Sequence, residues 1–476
     1  MTYMKRVLIG ALSLVGRTAI VGMAVGLVIG PSSAEAIPAW SRKYQTGCTT
    51  CHTVFPKLNY FGKAFRNNGY RFPGGLDESA TKEPPVIMGA DSYKKLFPRA
   101  LWPSHIPGAV PVAIRGISRV NWFEDDQTTT FEFPHEFELL TGGTLGETFS
   151  FFGELEVENE NNENELEMGL TLQYDPRAWL HVRMGTVAPH PIPDMLRLTA
   201  AHYSVYDTRT TPGTLTVSVP NPNRSTATLS IPTTTGEDRW RFREDQAGVQ
   251  VWGARNGAGG RGGLTWAVGL ANGQNVIDSN NNKDVFARIA YKIGGYGELG
   301  GSEMPQDLEY WRDDSVKVGF FAYNGKSTNN YTGSTIALSG TPGTGLVTVN
   351  AASTIENDFH IVGAEFDWWF KDLNLFGLYL RQADDDPRGT GESIDTDNWF
   401  AEANYTVYPW MVGVLRYGET AQDFAVRPDP RNLQFLVPAV TILGRANIKF
   451  TIEAQMRLDD PGKGHDRYLA GIDFAF

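Results

Sequence analysis

The sequence predicts a mainly β protein, about sixteen strands closing into a transmembrane barrel of the bacterial outer-membrane type, behind a small α-helical N-terminal segment. Three observations predict it. Segments of roughly nine to eleven residues, with apolar and polar side chains alternating, recur from about Pro111 to the C-terminus. No apolar run beyond Pro111 is long enough for a membrane helix. The connections between segments alternate between tight and long.

Composition agrees. A chain of 476 residues has room for two domains or one large one. At 41% hydrophobic residues it is too polar for a helical membrane bundle. With 12% aromatics and 51 glycines it does not read as disordered. The net charge of −12 argues against a nucleic-acid partner.

Residues 1–36 read as a cleaved export signal. Lys5 and Arg6 precede an apolar stretch from Val7 to Gly30, broken by Arg17, and Ser33-Ala34-Glu35-Ala36 supplies the small-residue cleavage pattern. The mature chain is then expected to begin at Ile37, and a retained membrane anchor is the alternative. Removing this net +2 segment leaves −14.

Residues 37–105 form the expected N-terminal domain. The chain has two cysteines, both inside Cys48-Thr49-Thr50-Cys51-His52. This is the C-x-x-C-H pattern of c-type haem attachment. Two thiols at this spacing add to the haem vinyl groups as thioethers, and the adjacent histidine becomes the proximal iron ligand. A short-range disulfide and chance spacing are the competing readings. Pro56 is placed to open a following helix and Asn68-Gly69 to close it. Leu58, Phe61 and Phe65 fall near one face and are candidates to pack on one covalently attached haem. Residues 37–75 carry six basic residues and no acidic one, which leaves −20 for 76–476. Met88, His105, His190, Met195 and His202 are the candidate sixth ligands; a five-coordinate iron is also open.

Residues 106–476 form the expected barrel. Leu166, Met168, Leu170, Leu172 and Tyr174 share one face of a strand; Glu165, Glu167, Gly169, Thr171 and Gln173 share the other. Segments 284–293 and 446–458 alternate likewise. Tyr468, Ala470, Ile472, Phe474 and Phe476 alternate to the last residue, and a terminal phenylalanine resembles the signal that ends many bacterial outer-membrane barrels. Tight turns are expected at Asp175-Pro176-Arg177-Ala178, Lys371-Asp372, Tyr408-Pro409-Trp410 and Gly444-Arg445. Long connections are expected near 188–246, 325–357, 383–396, 421–434 and 459–465. Numbering the strands in order puts the tight set on one side and the long set on the other. The stretch 295–313 breaks that rule, which questions the strand count there. A soluble β-sandwich alternates in the same way and remains the rival fold.

Glu132, Glu136 and Glu138, Glu154, Glu156 and Glu158, and Glu165 and Glu167 lie opposite apolar neighbours. If those neighbours meet lipid, the carboxylates point into the lumen, most of them at the extracellular mouth. Carboxylates suit Fe2+, Mn2+ or Ca2+, and a negative funnel concentrates cations and attracts the basic N-terminal segment. The plain alternative is the ordinary polar interior of a barrel.

The stretch Ile37 to Gly75, with Gln45, the CTTCH motif, Pro56, Leu58-Asn59, Phe61-Gly62, Phe65 and Gly69-Tyr70, resembles the fused outer-membrane monohaem cytochrome–porin family, of the iron-oxidising cytochrome type. The resemblance implies a haem domain that plugs the barrel, with Cys48 and Cys51 attaching the haem and His52 as proximal ligand. It implies electron transfer across the outer membrane of a diderm bacterium, from extracellular Fe(II) or another redox donor to a periplasmic c-type cytochrome or other soluble carrier. Two other functions stay open: a diffusion porin or transporter with a sensing or structural haem, and outward electron transfer to an extracellular acceptor.

Overall fold

Sixteen antiparallel strands close into one ring. The structure is a computed structural model describing residues 39–476 except 88–94, 97–104, 109, 161–162, 188–195, 207–214, 222–223, 232–245, 274–279, 302–308, 332–333, 338–345, 351–352, 388–392, 425–430 and 460–464. The expected signal segment, Met88, His190 and Met195 therefore lie outside the described residues.

The ring strands are β1 (Val112–Phe123), β2 (Thr128–Leu145), β3 (Phe149–Glu160), β4 (Glu163–Arg177), β5 (Leu180–Val187), β6 (Gln246–Asn256), β7 (Gly263–Ala271), β8 (Asp284–Gly294), β9 (Ser315–Tyr331), β10 (Ser353–Phe370), β11 (Leu373–Asp384), β12 (Ile394–Tyr408), β13 (Met411–Phe424), β14 (Arg431–Arg445), β15 (Ile448–Arg457) and β16 (Arg467–Ala475). Each pairs with the next, and β16 pairs back onto β1 from Arg467↔Phe123 to Ala475↔Arg115. A ring in which every neighbour is antiparallel closes only with an even count. Phe476 completes the seam: its N–H donates to the Ile114 carbonyl at 2.8 Å and its carbonyl accepts from the Ile114 N–H at 2.7 Å.

The alternation read from the sequence sets the two faces. On β4, Leu166, Met168 and Leu170 are 69%, 71% and 61% exposed, on the outside of the ring. Val285, Ile289, Tyr291 and Ile293 on β8 and Val316, Val318 and Phe320 on β9 continue this band. An encircling apolar surface of this extent is stable against lipid, not water. Trp179, Trp368, Phe370, Tyr408 and Trp410 cluster by the tight turns, as an interfacial aromatic girdle does. No described helix is long and apolar enough to cross a membrane.

The expected tight connections fall on one side and the expected long ones on the other, with shifted edges, although β1–β2 and β3–β4 on the long side are joined by only four and two residues. The expected loop 325–357 contracts because β9 runs to Tyr331 and β10 starts at Ser353. The loop 421–434 contracts likewise, because β13 and β14 extend to Phe424 and from Arg431. The turn expected at Gly444-Arg445 lies at 446–447, since β14 continues through Arg445. The long stretch 295–314 is real and the strand count stands. Its length has a use, because its residues hold the N-terminal segment.

That segment contains α1 (Ala39–Tyr44), a hairpin of His52–Val54 with Lys57–Leu58, α2 (Tyr60–Asn67) and α3 (Asp77–Ala80). Tyr44, Tyr60, Phe61, Phe65 and Phe72 form its core. The helix does not open at Pro56, which sits at the hairpin tip. It opens at Asn59, whose side-chain oxygen accepts from the Gly62 N–H at 2.9 Å. It closes at Asn68-Gly69 as expected, with Gly69 at φ 65°.

Contacts of this segment run around the ring. Trp40 stacks on Phe152 of β3, and Arg71 Nη1 pairs with Asp175 of β4 at 3.1 Å. Lys63 Nζ pairs with Asp367 of β10 at 2.6 Å, and Lys449 of β15 lies over the Phe55 ring. Asn67 donates to the backbone carbonyl of Glu298, in the 295–314 connection, at 2.9 Å.

The inner wall has two unlike halves. From β8 to β12 it carries an aromatic cluster, with Phe286, Phe321, Phe359, Phe376 and Phe400 buried, beside ion pairs such as Arg288–Glu365. Residues 196–206 of the long β5–β6 connection pack here; Tyr203 stacks on Phe400 with centroids 4.4 Å apart. Glu453 accepts from the N–H groups of Ala200 and Ala201 at 2.6 and 2.8 Å, and Arg416 donates to the carbonyls of Ala201 and His202 at 2.8 and 2.9 Å. From β1 to β4 the wall is acidic.

Candidate functional site

Cys48–Thr50 form a single 3-10 turn, closed by the Cys51 N–H donating to the Cys48 carbonyl at 3.2 Å. Asn59 fastens this turn to α2. Its side-chain amide donates to the carbonyls of Thr49 and Thr50 at 3.1 and 3.2 Å, and its backbone N–H donates to the Cys51 carbonyl at 2.9 Å. Gly62 lets the helix come this close, since a Cβ there would stand 2.1 Å from the Cys51 carbonyl oxygen.

The two thiols are free rather than joined. Burial pushes the Cys51 thiol up to about 12, so it is protonated at neutral pH. His52 Nδ1 lies 2.8 Å from the Pro56 carbonyl oxygen. A carbonyl only accepts, so Nδ1 carries the proton and Nε2 keeps its lone pair. Burial also lowers the His52 imidazole to about 4 and keeps it neutral, as a metal ligand must be. Two thiols three residues apart, beside a neutral imidazole oriented by a backbone carbonyl, could hold a covalently attached haem.

Cys48, Cys51 and His52 line a cavity of about 920 Å³. That volume lies at the upper end of the range for small-molecule and cofactor sites. Leu58 and Phe65 line it as expected. Phe61 does not; it points into the aromatic cluster, against Phe72 at 5.2 Å between centroids. Of the described sixth-ligand candidates, His202 lines the cavity from the 196–206 stretch. His105 does not; it pairs with Ile87 in a separate two-stranded hairpin.

The glutamates stand in two rungs across β2, β3 and β4. One aligns Glu136, Glu158 and Glu165; the other aligns Glu138, Glu156 and Glu167. The Glu165 side chain lies outside the described residues. Glu136, Glu154, Glu156, Glu158 and Glu167 line the cavity, and Glu132 sits further along β2 opposite Arg119. The set is less confined to one mouth than expected. It descends the wall to Arg115, which bonds Glu138 at 2.6 Å and Asp473 at 2.9 Å. Lys449 also pairs with Asp473, at 2.9 Å. Arg115 and Lys449 line the same cavity as His52 and are near enough to bear on its charge.

Arg115 and Lys449 were not singled out from the sequence, and neither was His135; Asn59 entered only as part of the resemblance, without a role. Strand alternation puts His135 outside with Phe133 and Phe137. The register shift opposite Ser118 turns it inward instead, where it is 2% exposed.

No protein-family model and no curated protein matches the chain. Solved structures of bacterial outer-membrane barrels do. An anion-selective porin from Comamonas acidovorans aligns at 12% identity over 77% of this chain and 99% of its own, with a TM-score of 0.47. A loop-deletion mutant of OmpT from Vibrio cholerae aligns at 12% identity over 77% and 98%, with a TM-score of 0.44. OmpF from Salmonella typhi, in complex with daunomycin, aligns at 13% identity over 77% and 98%, with a TM-score of 0.43.

Proposed function

We propose that the protein is an outer-membrane electron conduit whose N-terminal segment fills the bore and holds one haem c. The observation that carries this reading is one cavity shared by two free cysteines, a backbone-oriented neutral histidine and the charged inner wall of a barrel. Cys48 and Cys51 would bind the haem vinyl carbons and His52 Nε2 the iron. Such a group supplies one-electron redox chemistry. Leu58 and Phe65 would exclude water from it, and His202, on the same cavity, would be the candidate second iron ligand.

The location has a physical reason. A single redox centre on one side of the membrane cannot serve both, because the hydrocarbon core is about 30 Å thick. Within the ring it is open to donors outside and carriers inside. The acidic rungs favour a cationic donor, so extracellular Fe(II) is the proposed substrate; it leaves as Fe(III), and its electron passes to a soluble periplasmic carrier. Contacts from Trp40, Lys63, Asn67 and Arg71 around the ring support a filled bore over a diffusion porin. The deciding experiment is a reduced-minus-oxidised spectrum of the purified protein with ferrous iron as sole reductant. Appearance of the reduced haem bands is expected; a featureless spectrum overturns the reading. A strongly negative midpoint potential would reverse the proposed direction of flow.

A further inference from the structure

We infer that His135, Glu136 and Glu158 form a binding site for one divalent transition-metal ion on the inner wall of the barrel. The inference deepens the proposed function by locating its cationic substrate, and rests on that reading only for the ion's role as electron donor.

Ligand atoms of the three residues lie within 4.8 Å of one another. His135 is 2% exposed. Two carboxylates stand against it: Glu158 Oε1 is 3.1 Å from Nε2 and Glu132 Oε2 is 3.0 Å from Nδ1. A buried imidazole wedged between two carboxylates needs positive charge, from its own proton or from a bound cation.

A metal ion meets that need. Bonds of about 2.1 Å at tetrahedral or octahedral angles hold two donor atoms about 3.0–3.4 Å apart. The Nε2–Oε1 separation of 3.1 Å falls in that interval. With Nε2 ligating, the proton sits on Nδ1, and Glu132 is beside it to orient the ring. The positive charge also offsets the repulsion among carboxylates set side by side on neighbouring strands. One imidazole and two carboxylates favour Fe2+, Mn2+ or Zn2+ over Ca2+ or Mg2+. The site adjoins the Arg115 network: Glu136 is 3.7 Å from Arg115 Nη1, which also bonds Glu138 at 2.6 Å.

Mn(II), which the haem would not oxidise, is the probe, bound to the full-length protein in detergent and followed by electron paramagnetic resonance. One bound ion per chain is expected, with nitrogen coupling from an imidazole and resistance to excess Ca2+. His135→Gln and Glu158→Gln are each expected to weaken binding roughly ten-fold or more. His135→Gln stays close to the native volume, and heat-modifiable gel mobility checks that each variant is folded. No bound Mn(II) in the native protein, or binding without nitrogen coupling, overturns the inference. The haem spectrum is taken on the same sample. Loss of the haem bands with Mn(II) still bound defeats the conduit while sparing the site; haem bands without Mn(II) defeat the site alone.

Discussion

Tyr60 of α2 stacks flat on Tyr296 of the 295–314 connection, with ring centroids 3.9 Å apart and planes 4° from parallel. A helix of the N-terminal segment is thus clamped by the one tight-side connection that is long. Asn67 and Asn68 add hydrogen bonds to the carbonyls of Glu298 and Leu299, each at 2.9 Å. Tyr296→Ala is expected to loosen the segment by about 1 kcal/mol beyond the lost burial. The native protein should be nearly closed to ions in planar bilayers, and the variant should show brief openings. Steady conductance by the native protein, with its N-terminal segment intact, would sink the filled-bore reading.

Covalent attachment and iron ligation separate by mutation. Cys48→Ala with Cys51→Ala is expected to give a folded barrel that retains no haem on a denaturing gel stained for haem. His52→Ala keeps both thiols, so the haem should stay attached while the native redox potential is lost. Ferrous oxidation at the native rate in His52→Ala would defeat the assignment.

The ring was legible because alternation is a local property: Leu166, Met168 and Leu170 face outward as their spacing requires. The C-x-x-C-H spacing of the proposed attachment motif is equally local. What was hidden depends on contacts that residue spacing does not encode. Asn59 caps α2 and ties it to the motif turn, a double role that no spacing reveals. Phe61 shares a helical face with Phe65, but Tyr44 and Phe72 decide which ring meets the cavity. His135 violates alternation because three residues, Phe133 to His135, fit between the partners of Ile117 and Arg119.

Gly62 joins the two halves of the N-terminal site. Its missing side chain admits the Cys51 carbonyl, which a Cβ would meet at 2.1 Å, with Leu58 Cδ2 at 2.9 Å. The closer neighbour is backbone, so no rotamer change relieves the overlap. Gly62→Ala should shift the motif turn off Asn59 and cost about 1–3 kcal/mol. The checks are the thermal midpoint of the segment and the haem attached per chain, both expected to fall. An unchanged attachment yield would mean that the close approach does not set the turn.

In the proposed function the acidic rungs act at a distance, which salt can test. Glu154, Glu156 and Glu167 line the cavity but lie outside the His135 site. Replacing all three with glutamine removes their carboxyl groups while leaving the proposed metal ligands in place. A field that concentrates cations speeds capture but does not alter chemistry after binding. The triple variant should therefore raise the apparent KM for Fe(II) several-fold with kcat nearly unchanged. The gap between native and variant should narrow as ionic strength rises, because the Debye length shrinks from about 10 Å at 0.1 M to about 3 Å at 1 M. Charges on a water-filled wall are screened; ligands that touch the ion are not. A KM difference that persisted in high salt would make these glutamates direct ligands, and no difference at low salt would remove the funnel from the mechanism.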